Sequence, residues 1–263
     1  VEVNGNDNTG KINEIGKAFK TINAALDALP TLGSKIVKIG LGVFDAVNLS
    51  KIKDNTSFIG SKMPIVNSDY TALVDGTIIQ GSFTIYRKNN VTVKDLGFDF
   101  GLNVANNLYG GIGGNAFAVG TNLEFPSVNI PFMKGICVEN VSAIAKDNTT
   151  AHAVVIEAVD GLYVDNVVTY LGLHGFVTKA VNSNVSNVYA NGAGTNGIII
   201  RDSSDWFAQN RFSNYNNLHA RVINGIGGGV TLEASNAGCA LMDCNFSNIT
   251  AIFTSFGIKL QTN

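Results

Sequence analysis

Four charged side chains recur at matching positions of the sequence and are its best candidates for chemistry. They are Glu157, Lys179, Arg201 and Glu233. The first three follow one another at intervals of 22 residues, so they stand in one outward column if 22 residues make one structural repeat. Two further carboxylates, Asp202 and Asp205, come directly after Arg201.

Such a column carries the groups needed to bind an acidic sugar. Lys179 and Arg201 can neutralise a uronate carboxylate, and a lysine beside an arginine loses its proton more readily. A polysaccharide lyase needs a base near C5 of the sugar and a cation on its carboxylate, so both residues are also catalytic candidates. The alternative is structural, because opposite charges on neighbouring strands stabilise a sheet by roughly a few tenths of a kcal/mol each.

A second column with the same spacing contains His152, His174 and Asn196. Two stacked imidazoles can act as acid and base, which makes His174 a further catalytic candidate, or they can simply be hydrogen-bonded turn residues. No third histidine or carboxylate shares their register, so the sequence predicts no metal site. It predicts no cofactor either, because the glycine-rich segment 225–229 is not followed by a helix that would bind phosphate.

Three lengthened turns, at 124–132, 203–210 and 235–243, should emerge from one corner of the structure beside the charged column. The middle turn contains Asp205 and Trp206, the only tryptophan of the chain. An exposed tryptophan beside carboxylates can stack on the C–H groups of a sugar ring. Candidate substrate-binding residues are therefore Glu157, Lys179, Arg201, Asp202, Asp205 and Trp206. Alternatively, Trp206 folds back over the coil as a local plug.

The elements that would position these columns follow from a recurring phrase. It reads Gly-aliphatic-x-aliphatic, a polar turn, then aliphatic-x-Asn-aliphatic. The glycines are Gly175, Gly197, Gly229 and Gly257, and the asparagines are Asn140, Asn166, Asn187, Asn214 and Asn248. Repeats of this length indicate stacked supersecondary units. The fold class predicted is all-β, a single-stranded right-handed parallel β-helix with coils about 4.8 Å apart.

Alternation along the strands sets which residues face the core. Ile198 and Ile200 should point inward, while Ile199 and Arg201 point outward. The repeated asparagines tolerate left-handed backbone, and each amide can bond to the asparagine one coil above.

Only residues 17–29 have convincing helical spacing, with Phe19, Ile22, Leu26 and Leu29 on one face and Pro30 behind them. A lone amphipathic helix before a solenoid can cover the open core of the first coil. We expect an N-terminal segment with this capping helix over 1–34. One continuous β-helix should follow over 35–263 as part of a longer chain.

Composition excludes several classes of protein. The 263 residues include 29 glycines and 4 prolines, 14% are charged, and the net charge is −2. This suits tight turns between buried strands and not disorder. The chain has no Lys/Arg run for nucleic acid and no apolar stretch long enough to span a membrane. Three cysteines without metal-type spacing indicate no metal site, and Cys244 should point inward.

The first hundred residues resemble the opening of pectinesterases and of the wider pectate-lyase-like superfamily. The matching segments are 19–30, 36–40, 42–44, 58–60 and 77–79. The glycine- and asparagine-rich start, 4–10, is similar to phage tailspike and fibre β-helices. These resemblances imply the fold and a connection with carbohydrate. The catalytic segments of those enzymes are absent. Only Leu173-His174-Gly175 partly matches one of them, the Gly-His-Gly segment of polygalacturonases.

Two classes of function are therefore expected. One is a β-helical segment of a phage tailspike, fibre or surface adhesin that recognises polysaccharide or is structural only. The other is a secreted polysaccharide lyase or hydrolase, although the paired carboxylates that a hydrolase places about 5–9.5 Å apart are missing. Residues 257–263 still alternate like a strand, so the last coil should be covered by further chain or by partner subunits, as in a homotrimer. The expected location is extracellular, at a cell surface or on a virion.

Overall fold

The structure is a computed structural model, and it describes residues 1–101, 115–120, 132–146, 150–202, 212–222, 228–234, 244–252 and 256–262. In these ranges the chain forms one α-helix, one 3-10 turn (Leu49–Lys51) and twenty strands. The helix is α1 (Ile22–Ala28). The strands are β1 (Lys35–Ile39), β2 (Gly42–Asp45), β3 (Thr56–Gly60), β4 (Ile65–Val66), β5 (Leu73–Val74), β6 (Thr77–Gln80), β7 (Phe83–Tyr86), β8 (Thr92–Phe100), β9 (Asn115–Gly120), β10 (Met133–Lys134), β11 (Cys137–Ala145), β12 (His152–Asp160), β13 (Tyr163–Leu171), β14 (His174–Val181), β15 (Asn184–Ala193), β16 (Asn196–Asp202), β17 (Asn214–Val222), β18 (Gly228–Ala234), β19 (Asn245–Ile252) and β20 (Phe256–Thr262).

The long strands belong to two parallel sheets that the chain visits in turn. The first sheet has the order β1-β3-β8-β11-β13-β15-β17-β19, with β2 and β6 attached, and the second has the order β7-β9-β12-β14-β16-β18-β20, with β10 attached. Each strand from β12 to β18 pairs in parallel with the strand two places later in the chain. This connectivity is that of a parallel β-helix and confirms the predicted fold class.

The core runs between the two sheets. Ile198 and Ile200 are 1% and 0% exposed within it, as the alternation predicted. Near the N-terminal end the core is filled by stacked aromatic rings, with Phe98 and Phe117 parallel at 4.8 Å between centroids. Tyr215 and Phe246, which hold the same position on successive coils of the first sheet, also stack, with 5.1 Å between centroids. Aromatic rings thus keep the interior filled both between the sheets and from coil to coil.

The helix is shorter than the predicted range 17–29. It begins after Thr21, whose extended backbone and hydroxyl cap it by accepting a hydrogen bond from the Ala24 N–H at 3.1 Å. Upstream, the Asp7 carboxylate accepts the backbone N–H groups of Lys20 and Thr21 at 2.7 and 2.9 Å. Those bonds hold the chain in a non-helical course. Ile22, Ala25 and Leu26 still pack into the main core.

An asparagine ladder climbs the first sheet in left-handed conformation. Asn140, Asn166, Asn187 and Asn248 have φ values of 51°, 54°, 53° and 52°. The Asn166 amide donates to the Asn140 side-chain oxygen at 2.8 Å. Asparagine suits these positions because it tolerates positive φ and because its amide forms a hydrogen bond with a side chain on the neighbouring coil.

Placing Asn214 in this ladder was wrong. The equivalent residue is Asn217, which has φ 55° and donates to Asn187 at 2.6 Å, whereas Asn214 pairs with Asn184. With Asn214 in the ladder, Phe212 would hold the aliphatic position two residues before it, but Phe212 is 61% exposed. Tyr215, 1% exposed, lies in the core beside Val185. The larger buried ring sets the register, which shifts the phrase by three residues.

The remaining sequence expectations concern cysteines, metals and membranes. Cys244 packs against the core as predicted. In the described ranges, no three histidine, cysteine, aspartate or glutamate side chains come together as metal ligands. The described helix is too short to cross a membrane.

Candidate functional site

Three columns of side chains cover the outer side of the second sheet, which we call the second-sheet face. The strand register stacks His174 with Asn196, Val177 with Ile199, and Arg201 with Glu233. We call these the imidazole, aliphatic and charged columns. The Asn196 side-chain oxygen accepts the Thr231 hydroxyl at 3.2 Å, and Thr231 stands above Ile199. The imidazole column therefore lies beside the aliphatic one.

The charged column forms as the spacing predicted. Glu157 stands opposite Lys179, and Arg201 opposite Glu233. Arg201 Nε donates to Glu233 Oε2 at 2.5 Å, and Arg201 Nη1 lies 3.9 Å from Glu157 Oε1. Arg201 thus bridges carboxylates on both sides, which is the cross-strand charge ladder that the structural alternative describes. Pairs at this partial exposure contribute about 1 kcal/mol or less each.

Lys179 lies between the coils of Glu157 and Arg201 and is only 6% exposed. The aliphatic column is equally shielded, with Val155, Val177 and Ile199 at 6%, 1% and 2% exposure although they point away from the main core. Lys179 and the aliphatic column are therefore shielded from solvent, whereas the side chains of Arg201 and Glu157 are 36% and 31% exposed. Charges beside the shielded side chains interact more strongly than on an open surface.

The two histidine rings stack in parallel, 4.8 Å apart with 8° between their planes. Asn196 fixes the orientation of His174. Its amide oxygen accepts the Gly228 N–H at 2.9 Å, which turns its nitrogen toward His174 Nδ1 at 3.5 Å. Asn196 and the Leu173 backbone are thus the hydrogen-bond partners of the His174 ring. His152 Nδ1 is buried, and no described residue forms a hydrogen bond with it.

Both imidazoles are held neutral. Burial, with a smaller contribution from the Arg201 charge, lowers the pKa of His152 to about 4. Burial, then His152, then Arg201 lower the pKa of His174 to about 3, against a backbone hydrogen bond to Leu173 that raises it. Residues whose pKa is shifted this far, by burial together with a specific charged neighbour, are found most often at functional sites. At neutral pH both rings are therefore unprotonated.

The sequence anticipated part of this arrangement. Glu157, Lys179, Arg201, His152, His174 and Asn196 share one face, as their common spacing predicted. The aliphatic column was missed, although Val155, Val177 and Ile199 have the same spacing of 22 residues. Asp205 and Trp206 lie outside the described residues, as do the lengthened turns except for Phe132, and the side chain of Asp202 is not described.

Comparisons with known proteins complete the description of the face. No protein-family model and no curated protein matches the sequence. Among solved structures, the chain is similar to the A-module of a mannuronan C-5 epimerase from Azotobacter vinelandii. The two are 17% identical with a TM-score of 0.45, over 91% of this chain and 74% of that one. Likeness at this level carries no inference about activity.

Proposed function

We propose that this chain recognises an acidic polysaccharide through the second-sheet face, with Glu157, Lys179 and Arg201 as its contacts. Asp202, Asp205 and Trp206 would extend the site beyond Arg201. The setting we propose is extracellular, at a cell surface or on a virion, in a homotrimer or a larger appendage of the tailspike or fibre kind. The pectate-lyase-like resemblance of the first hundred residues is consistent with this role.

One observation carries the proposal: the Arg201 guanidinium lies on the same face as the neutral imidazoles of His152 and His174. Of the two carboxylates at Arg201, Glu233 is close, whereas Glu157 lies 3.9 Å away. A uronate carboxylate would displace the longer contact and keep the shorter one.

A second candidate function, a polysaccharide lyase, is favoured by the histidines. A lyase step takes the C5 proton of a uronate, forms the C4=C5 double bond and breaks the C4–O glycosidic bond, while a cation stabilises the charge that develops on the carboxylate. His174 is unprotonated at pH 7 and Arg201 is near enough to lower its pKa, so a proton acceptor and a cation are both present. In this version Lys179 positions the carboxylate, the imidazole takes the C5 proton, and the imidazolium returns it to the departing C4 oxygen.

The two versions separate in one experiment. The parent protein is applied to an array of acidic and neutral oligosaccharides, and every bound glycan is then incubated with it while ultraviolet absorbance follows unsaturated products. Recognition alone gives binding without product, and the lyase gives both. Absence of binding to every acidic glycan would overturn both versions.

The tryptophan provides the matched variant. Trp206→Ala should remove a stacking contact of about 1 kcal/mol, a loss of roughly fivefold in affinity. Tyr163→Ala is the control, because Tyr163 is 41% exposed on the other sheet. Equal affinity of the Trp206 variant and the parent would place the binding groove elsewhere.

A further inference from the structure

A short hairpin covers part of the outer side of the first sheet. Its edge forms a step on that surface, with the hairpin above and the neighbouring strands of the sheet below. The hairpin consists of β4 and β5, the one antiparallel pair among the described strands. Ser142 Oγ donates to the Pro64 carbonyl at 2.7 Å, beneath the hairpin. At Gly97 an added Cβ would come 2.9 Å from Leu73 Cδ1, so the hairpin rests directly on the sheet. It therefore covers the coils of β8, β11 and β13.

Tyrosines form the wall of this step. Tyr70 at the hairpin tip is half exposed, and its ring lies 6.1 Å from that of Tyr170 on β13. Tyr170 stands opposite Asn191 on the next coil, β15. Tyr170 is thus the side chain of its column that the hairpin contacts, and we define the floor of the step as the coils from β15 onward.

The floor consists of rings and amides. Tyr189 and His219 are half-buried and stack at 4.9 Å with 8° between their planes. Asn217 ties them together, because its amide nitrogen donates to the Tyr189 hydroxyl at 3.1 Å and its oxygen lies 2.8 Å from His219 Nε2. The same nitrogen also donates to Asn187 at 2.6 Å. These contacts preorganise the floor before any ligand arrives.

Tyr70 holds an unfavourable backbone conformation at the edge of the step. Its φ is 57°, a region that bulky residues avoid. Most other residues with positive φ in the described chain, glycines aside, are asparagine or aspartate, which tolerate it. An asparagine would suit the turn better, and the contact of the tyrosine ring with Tyr170 offsets part of the strain.

We propose that this step binds a neutral saccharide, at a site separate from the second-sheet face. Tyrosine offers a rigid apolar ring with a polar tip, and side-chain amides donate and accept toward hydroxyl groups. The uncovered columns at β15, β17 and β19 carry a single charged residue, Arg221, among the described positions. A ring surrounded by amides and few charges favours a neutral sugar over a uronate.

The test is a titration of the protein, labelled with carbon-13 on its tyrosines, with hexasaccharides of β-1,4-glucose, β-1,4-mannose, α-1,4-glucose and α-1,4-galacturonate. Seven tyrosines make the spectrum tractable. At least one neutral hexasaccharide should shift the Tyr70 and Tyr170 signals while leaving that of Tyr163 unchanged. No shift with any neutral probe, or shifts with galacturonate alone, would overturn the proposal.

Three variants complete the test. Tyr70→Ala should weaken binding of the neutral hexasaccharide by about fivefold, and Tyr70→Phe should keep most of it because the ring remains. Tyr163→Ala is the matched control and should bind as the parent does. Equal binding by Tyr70→Ala and the parent would overturn the site, as would loss of self-association in Tyr70→Ala, which would identify the step as a contact between copies. The proposed function is unaffected in either case, because its readout is the acidic glycan.

Discussion

Arg201 contacts two carboxylates and lowers the pKa of two imidazoles, so one side chain links the charged and imidazole columns. Its environment decides its role. An exposed arginine on a strand would contribute little, but Arg201 lies on a face where Ile199 and Lys179 are almost fully buried. In such surroundings an ion pair orders its neighbours and a histidine gives up its proton.

The histidines make stability depend on pH in a defined direction. The folded pKa values of His152 and His174, about 4 and about 3, lie below the ordinary value of 6.5. Between the folded value and 6.5, the unfolded chain therefore binds more protons than the folded one. The free energy of unfolding should therefore fall as the pH drops from about 6.5 toward 4, by about 1.4 kcal/mol per pH unit for each imidazole.

Urea unfolding between pH 4.5 and 7.5 measures this slope. The variant with both His152→Asn and His174→Asn should show a shallower slope, since Asn115 and Asn196 show that the column accepts asparagine. Equal slopes in parent and variant would mean that these imidazoles are not buried neutral.

Core burial gives a sharper residue-level prediction. Ile200→Asp places a carboxylate in a fully buried position and should cost about 3 kcal/mol or more. Ile36→Asp is the control, because Ile36 is also an isoleucine on a strand but is 58% exposed. Urea unfolding compares the two, and similar stabilities would contradict the inward position of Ile200.

At the scale of elements, small residues set how closely successive coils approach. An added Cβ on Gly197 would lie 2.9 Å from the Gly229 carbonyl oxygen and closer still to Ala220 Cβ. Gly175 and Gly229 meet the same crowding, whereas a Cβ on Gly257 would meet nothing within 4 Å. The glycine of the repeated phrase is thus explained by packing between coils.

Gly197→Ala should therefore destabilise the protein by about 1–3 kcal/mol, because the coil must shift to admit a methyl group. Gly257→Ala should leave stability nearly unchanged. Thermal unfolding of both variants checks this difference, and a harmless Gly197→Ala would show that the coils tolerate wider spacing.

The sequence predicts these elements well where the pattern is local. Period-two alternation and the recurring phrase identify the strands, since each coil contacts only its neighbours. The predictions failed where contacts between residues far apart in the sequence determine the local structure. Asp7 delays the helix start, and the buried Tyr215 ring moves the register of its coil. The β4–β5 hairpin was not expected because its partners, Gly97, Ser142 and Tyr170, lie far away along the chain.

At the scale of the whole molecule, apolar side chains are exposed on the last described coil. Ile252 and Ile258 are 49% and 54% exposed, while Ile198 and Val230, in register with Ile258, are buried at 1% and 0%. Exposed strand edges of this kind invite pairing with another chain. Further chain, or the partner subunits of a trimer, would bury them.

We expect the protein to sediment as an oligomer, with a trimer as the predicted state. Combined Ile252→Lys and Ile258→Lys should dissociate it, because like charges would meet at the contact. Ile36→Lys serves as control, since Ile36 is 58% exposed on β1 at the opposite end. Analytical ultracentrifugation decides, and a monomeric parent at high concentration would contradict the assembly.

The most direct measurement of the proposed function is the affinity of Arg201→Ala for the acidic polysaccharide selected on the array. Lys94→Ala is the matched control, because Lys94 pairs with Glu139 at 2.7 Å on the other sheet. Arg201→Ala should weaken binding by about tenfold at low salt, and the loss should shrink as salt rises. Lys94→Ala should bind as the parent does. If Arg201→Ala also binds as the parent does at every salt concentration, the charged column is structural only and the second-sheet face is not the site.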